Sequence, residues 1–224
     1  MLDCLASLAG YKPIKGVIFD CDGVLIDSRS ANLAYYNSLL LAANCAPMTR
    51  EQEDFVHMAS ERQAIEHILP PEKVPDYREL AAKVPYREVV LPLLRLADGA
   101  DTVLTRLRER GLRLAVHTNR GAGMWQLLEK FTLCDMFEPV MTVAQVAPKP
   151  SPEGVFRILE AWDLPPSEVV FVGDSEADAA AARDADVPLI AFRNTSLRTA
   201  VAYVASFAEL ETVLPAMPNM NVKY

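Results

Sequence analysis

The feature that most constrains the fold is the stretch Val17–Ser28, which reads VIFDCDGVLIDS. Its apolar run, typical of a strand buried in a parallel sheet, ends at Asp20. A second carboxylate, Asp22, follows in a turn that Gly23 allows to be sharp. Ligands of open α/β sheets bind at the carboxyl ends of strands, so the two carboxylates are predicted to face one crevice, where a cation or a proton must separate them. The alternative is that both are solvated strand-end and turn residues.

Most of the chain alternates strands with helices. Strands are predicted at 15–20, 112–117, 139–142, 169–172 and 187–191, and a closing helix at 207–214. Such alternation indicates right-handed β–α–β units and a sheet that helices cover on both faces. The predicted fold class is therefore α/β, a Rossmann-like doubly wound parallel sheet.

One segment departs from this alternation. Between about 31 and 92 the sequence has no strand-like period, and apolar residues from Leu33 to Leu40 recur at helical spacing. Further helical pieces are predicted at 50–58, 60–69 and 76–96. We therefore expect an all-helical domain, residues 28–97, inserted after the first strand into a core formed by 1–27 and 98–224.

Composition excludes several classes of function. The 224 residues carry a net charge of −8 with a pI near 5.0, so bulk electrostatics would not attract nucleic acid, and an anionic substrate would need local positive charge or a metal ion. No membrane span is predicted, and residues 1–13 lack the basic and long apolar regions of a signal peptide. The four cysteines are scattered, which favours reduced thiols over disulfides or structural zinc. We expect a cytoplasmic protein, either a monomer or a homodimer.

Further polar residues follow the later strands. Asp174 comes after the fourth strand, and Asp178 lies four residues further on, so the two share one face of the next helix. Two carboxylates so placed suit a hard cation, although they would also complement the dipole at a helix N-terminus. Because strands of a parallel sheet end at the same edge, Asp20 is expected opposite them, and an Mg²⁺ site is then the better interpretation.

Three more residues are candidates for the same crevice. Lys149 lies between Pro148 and Pro150 in a stiff segment that could aim its ammonium at the site, although a solvated surface lysine is an equal alternative. Thr118 and Asn119 follow the second strand and can donate hydrogen bonds to phosphate oxygens, although strand-end residues of these types are common. His117, just before them, is expected to be a buried histidine of the core or of the site's surroundings.

Taken together, these motifs resemble the haloacid dehalogenase-like (HAD) hydrolase superfamily. The matching segments are DCDGVLIDS at 20–28, TN at 118–119, KPSP at 149–152 and GDSEAD at 173–178. The similarity is greatest to the helical-cap phosphatase branch, the group of phosphoglycolate phosphatase and β-phosphoglucomutase, and it covers essentially the whole chain. Residues 28–97 fall where the cap of that branch belongs.

The resemblance implies a role for each matching residue. Asp20 would be the nucleophile and Asp22 the general acid and base. Thr118 and Asn119 would bind the transferring phosphoryl group, and Lys149 would neutralise it. The cofactor would be Mg²⁺, and the side chains of three aspartates and one backbone carbonyl would hold it, namely Asp20, Asp174, Asp178 and the carbonyl of Asp22.

The function expected from this resemblance is Mg²⁺-dependent hydrolysis of a small phosphorylated metabolite through an aspartyl phosphate. A phosphoglycolate-like ester is the first candidate, and neither nucleic acid nor a membrane is an expected partner. Arg62 or His57 of the cap could reach the substrate, although a solvated helix face is as good an interpretation. The alternatives are a sugar phosphomutase, a pyrophosphatase or nucleotidase, and a catalytically silent binding module.

Overall fold

A computed structural model describes residues 13–58, 61–121 and 123–214 of the chain. The chain divides into two compact units, one formed by 1–26 with 96–224 and the other by 27–95. Residues 1–12 lie outside the described part, and with them nearly all of the segment that was considered as a signal peptide.

The larger unit is built on a six-stranded sheet. Its strands are β1 (Gly16–Phe19), β2 (Arg113–His117), β3 (Val140–Met141), β4 (Val169–Gly173), β5 (Leu189–Phe192) and β6 (Ala202–Val204). They lie in the order β3-β2-β1-β4-β5-β6, and every neighbouring pair is parallel. The order runs outward from β1 in both directions, as in a doubly wound sheet. The predicted α/β fold class is confirmed.

The unit formed by 27–95 is helical. Its α-helices are α1 (Arg29–Ala42), α2 (Arg50–Met58), α3 (Glu61–Ile68) and α4 (Tyr77–Ala82). The prediction of one helical piece over 76–96 is wrong, because α4 ends at Ala82 and is followed by a π-helical turn at Tyr86–Val90, a 3₁₀ turn at Leu91–Leu93 and a two-residue strand at Arg95–Leu96. Pro85 and Pro92 explain the break, since proline lacks the N–H that an α-helix needs.

In the described part of the larger unit, five α-helices accompany the sheet. They are α5 (Ala100–Glu109), α6 (Gly123–Lys130), α7 (Glu153–Trp162), α8 (Glu176–Asp184) and α9 (Phe207–Val213). Because successive strand residues point to opposite faces, β1 reaches both layers. Ile18 belongs to a buried cluster with residues of α7 and α8, whereas the ring of Phe19 contacts Phe137 and, across 6.3 Å, Phe207 of α9. Helices therefore cover both faces of the sheet, and the candidate site lies at the carboxyl ends of its central strands.

The edge strand β6 was not predicted from the sequence. It has only three residues, too few for a period of two to be recognised, and among the described strands it pairs with β5 alone. Within the described residues, no helix combines the length and the apolar character that crossing a membrane would require. The described cysteines, Cys21, Cys45 and Cys134, are free thiols.

Candidate active site

The first aspartate of the site continues the central strand. The backbone N–H of Asp20 donates to the carbonyl of Val172 at 2.9 Å, so the ladder between β1 and β4 extends one residue beyond Phe19. The side chain of Asp20 is buried, at 6% exposure for the residue. Two backbone hydrogen bonds close the turn that follows. The N–H of Gly23 donates to the carbonyl of Ile26, and the N–H of Ile26 donates to the carbonyl of Cys21. The carboxylate is thus fixed at the carboxyl edge of the sheet.

Asp178 is held by the start of α8. Ser175 caps this helix, because its hydroxyl accepts from the backbone N–H of Asp178 at 3.2 Å. In return Asp178 Oδ2 accepts from the Ser175 hydroxyl at 2.6 Å and from the backbone N–H groups of Ser175 and Asp174. This capping box leaves Asp178 fully buried, with Oδ1 directed to the site.

Lys149 joins the two motifs. Its Nζ donates to Asp178 Oδ1 at 2.6 Å and also to Asp20 Oδ1. The backbone of Lys149 is held on both sides by Asn119, whose Oδ1 accepts from the Lys149 N–H at 2.8 Å and whose Nδ2 donates to the Lys149 carbonyl at 3.2 Å. Lys149 is therefore a buried, positioned ammonium group, and the alternative of a solvated surface lysine is wrong.

The charges of this cluster do not balance. One carboxylate oxygen from each of Asp20, Asp174 and Asp178 lies within 4.8 Å of the others, against the single ammonium of Lys149. Burial and the charge of Asp178 raise the pKa of Asp20 well above its usual range, and the same causes raise the pKa of Asp174 to about 7. Burial alone would lower the pKa of Lys149, but the carboxylates of Asp178 and Asp20 outweigh it and raise that pKa.

An excess of negative charge on oxygen donors is the chemistry that a hard divalent cation requires. The three carboxylates fit Mg²⁺, which accepts carboxylate oxygens and keeps several waters. Asp174 is the most available of the three, since both oxygens of Asp178 already accept hydrogen bonds and Asp20 accepts from Lys149.

Asp22 forms a bidentate ion pair with Arg120. The guanidinium donates two hydrogen bonds to the carboxylate, from Nε to Oδ2 and from Nη2 to Oδ1, and both are 2.6 Å long. The backbone N–H of Arg120 donates to the hydroxyl of Thr118 at 3.1 Å. Arg120 was not predicted from the sequence. Its position directly after Thr118 and Asn119, in the loop that follows β2, is the signal that could have found it.

Three candidate residues remain, namely His117, Arg62 and His57. His117 is fully buried as expected, and neither of its ring nitrogens has a hydrogen-bond partner among the described residues. Burial, assisted by the charge of Lys149, lowers the pKa of His117 to about 3, so its ring is neutral. Arg62 lies in α3 of the helical unit, where its Nε donates to Glu66 at 2.8 Å, and the side chain of His57 lies outside the described residues.

Comparison with known proteins identifies the family of this chain. A family model described as haloacid dehalogenase-like hydrolase matches residues 17–192. A phosphoglycolate phosphatase of Caulobacter vibrioides is 30% identical over 190 residues, 80% of each chain. An N-acetylmuramic acid 6-phosphate phosphatase of Pseudomonas aeruginosa is 25% identical over 187 residues, which cover 80% of this chain and 82% of that one. The crystal structure of a HAD-superfamily hydrolase, subfamily IA, variant 1, from Geobacter sulfurreducens has a TM-score of 0.77 and 34% identity, and covers 90% of this chain and 97% of that one.

Proposed function

This chain belongs to the haloacid dehalogenase-like hydrolase family and is a phosphatase, and we propose that it hydrolyses a small phosphomonoester with Mg²⁺ through a phosphorylated Asp20. The observation that supports the proposal most is the buried cluster in which Lys149 contacts Asp20 and Asp178 beside Asp174. A carboxylate nucleophile, a fixed ammonium and an oxygen-rich cation site are the parts that phosphoryl transfer from an ester needs.

The first step is attack of an Asp20 oxygen on phosphorus. A new O–P bond forms to Asp20 while the ester O–P bond breaks, so the phosphoryl group passes to the enzyme. At about 4 Å and an effective dielectric constant of 20, each pair of like charges costs on the order of 4 kcal/mol. Lys149 offsets part of this repulsion because its ammonium already contacts Asp20. Asp20, Asp174, Asp178 and the Asp22 carbonyl would hold Mg²⁺, which would supply further positive charge against the phosphoryl oxygens.

Asp22 would move the protons. As general acid it gives a proton to the departing alcohol oxygen, and as general base it takes one from the water that then attacks the phosphoryl group on Asp20. Asn119 and Thr118 would bind that phosphoryl group. The second hydrogen of the Asn119 amide nitrogen remains for this purpose, because one hydrogen is donated to Lys149.

For the substrate, we propose phosphoglycolate or a similarly small ester. The support is the 30% identity to a phosphoglycolate phosphatase over 80% of both chains. The helical residues 28–97 are proposed to act as the cap that contacts the leaving group, with Arg62 as the candidate contact. A cytoplasmic location and a monomer or homodimer stay part of the proposal, and the free thiols of the described cysteines suit a reducing compartment.

The test is phosphate release from a panel of small phosphomonoesters, with Mg²⁺ and with EDTA. Phosphoglycolate, sugar phosphates, a nucleotide and pyrophosphate belong in the panel. We expect release that needs Mg²⁺, is fastest with a small ester, and disappears in Asp20→Asn. The matched control is Asp184→Asn, which changes an exposed aspartate of α8 and should leave the rate unchanged. Equal rates in EDTA, or an active Asp20→Asn, would contradict the proposal.

A further inference from the structure

We propose that Arg120 is a positioning residue that holds the carboxylate of Asp22 in place for its proton transfers to the leaving alcohol and from the attacking water. This inference rests on the proposed function and adds a residue to it. Arg120 acts through Asp22 and touches no reacting atom, so its contribution should depend on how much a given substrate needs proton transfer.

The contact itself is specific. Both hydrogen bonds between Arg120 and Asp22 are 2.6 Å long, and each comes from a different guanidinium nitrogen to a different carboxylate oxygen. Such a fork fixes the carboxylate against both rotation and translation, which a single point charge does not. The guanidinium side of the pair is well sheltered, at 13% exposure, whereas the Asp22 side chain keeps 36%. Asp22 is thus held by Arg120 while part of its side chain stays exposed.

The backbone around Arg120 is in turn fixed by hydrogen bonds to neighbouring segments. The backbone carbonyl of Arg120 accepts from the N–H of Val143, and the N–H of Thr118, two residues earlier, donates to the carbonyl of Met141 in β3. Asn119, between them, is bonded twice to the backbone of Lys149. The loop 118–120 therefore connects Lys149 and Asp22 to one segment. The position of the Lys149 ammonium, which contacts Asp20, is thereby fixed relative to the carboxylate of Asp22.

Leaving-group chemistry separates this role from a structural one. An alkoxide is a poor leaving group and must be protonated as its O–P bond breaks, whereas p-nitrophenolate leaves as a stable anion without a proton. The ratio kcat/KM reports only the steps up to phosphorylation of Asp20. Misplacing the acid should therefore lower kcat/KM for an alkyl phosphate much more than for p-nitrophenyl phosphate.

The experiment compares wild type, Arg120→Gln, Arg120→Lys, Asp22→Asn and the double variant Arg120→Gln/Asp22→Asn on 2-phosphoglycolate and p-nitrophenyl phosphate. We expect Arg120→Gln to lose about 100-fold in kcat/KM on 2-phosphoglycolate, at least tenfold more than on the aryl ester. Arg120→Lys should recover only part of the lost kcat/KM, because an ammonium cannot form the two-pronged contact of a guanidinium. The double variant should be no worse than Asp22→Asn alone, since both changes remove one function.

The control is Arg157→Gln, which removes an exposed guanidinium from α7 and should leave kcat/KM unchanged on both substrates. Equal losses on the two substrates in Arg120→Gln, or losses that multiply in the double variant, would overturn the positioning role while leaving the proposed function intact. A wild-type protein that releases phosphate from neither ester would overturn the proposed function and this inference with it.

Discussion

Gly23 and Gly99 provide a matched test of the metal site. Both have a left-handed backbone, with φ of +81° and +75°, so an alanine at either position should cost about 1–2 kcal/mol in backbone energy. Their surroundings differ. A Cβ on Gly23 would lie 1.9 Å from Asp174 Oδ2, whereas a Cβ on Gly99 would meet no atom within 4 Å.

The clash at Gly23 should displace Asp174. Ordinary contact begins near 3.4 Å, so from 1.9 Å the carboxylate or the turn must move by the difference, about 1.5 Å. Mg²⁺ requires ligands at about 2.0–2.1 Å in a near-ideal octahedron, so such a displacement would remove one of the proposed ligands. By analogy with changes around other metal sites, we expect the Mg²⁺ concentration for half-maximal activity to rise at least about 10- to 100-fold in Gly23→Ala.

The assay is phosphate release titrated with Mg²⁺, together with urea unfolding in EDTA. Gly99→Ala should lose a similar amount of stability from its backbone and keep the wild-type Mg²⁺ titration. If Gly23→Ala and Gly99→Ala titrate alike with Mg²⁺, Asp174 is not a ligand whose position matters, and the account of the metal site is refuted.

Three further predictions concern the buried residues around the site. Gly154→Ala would place a Cβ 2.3 Å from Nε2 of His117 and should lower the free energy of unfolding in urea by about 1–3 kcal/mol. A Cβ at Gly121 would meet only an ordinary contact at 3.8 Å, so Gly121→Ala should cost far less stability. Equal losses of stability in the two variants would contradict this. The pKa of His117 is lowered from 6.5 to about 3, so the unfolded chain binds the extra proton and stability should fall as the pH drops below about 6.5. His117→Leu should remove a slope of up to about 1.4 kcal/mol per pH unit from unfolding measured in that window, and an unchanged slope would show that this histidine is already charged in the fold. Lys149→Ala leaves the buried carboxylates of Asp20 and Asp178 without the ammonium that contacts both, and should lower the free energy of unfolding in EDTA by about 3–5 kcal/mol, with Mg²⁺ restoring part of the loss. A loss that Mg²⁺ does not change would argue against a cation site there.

The proximity of Asp20, Asp174 and Asp178 could be anticipated because each follows a strand of a parallel sheet. The period of a strand and the rule that parallel strands end at one edge are enough to bring such residues together. The placement of Lys149 could not be anticipated in this way. It depends on the two hydrogen bonds between the Asn119 side chain and the Lys149 backbone, and no short-range pattern encodes a contact between residues 30 positions apart.

The pairing of Asp22 with Arg120 could not be predicted for a similar reason. Both residues lie in loops, where side-chain direction follows no period, and 98 positions separate them in the chain. The break of the helical pieces after Ala82 was foreseeable from Pro85 and Pro92, whereas the position of the π-helical turn between them was not. What the sequence leaves open is thus mainly side-chain orientation in loops.

The central claim is that Asp20 carries the phosphoryl group during turnover. The most direct test is to quench Asp22→Asn with acid during reaction with p-nitrophenyl phosphate, and to locate the phosphoryl group by peptide mass spectrometry. The aryl ester phosphorylates the enzyme without an acid, and loss of the base slows hydrolysis, so the intermediate should accumulate. We predict an acid-stable, hydroxylamine-labile phosphoryl group on Asp20, absent when Asp20→Asn is added. A phosphoryl group on another residue, or turnover that continues with none on the protein, would contradict the account.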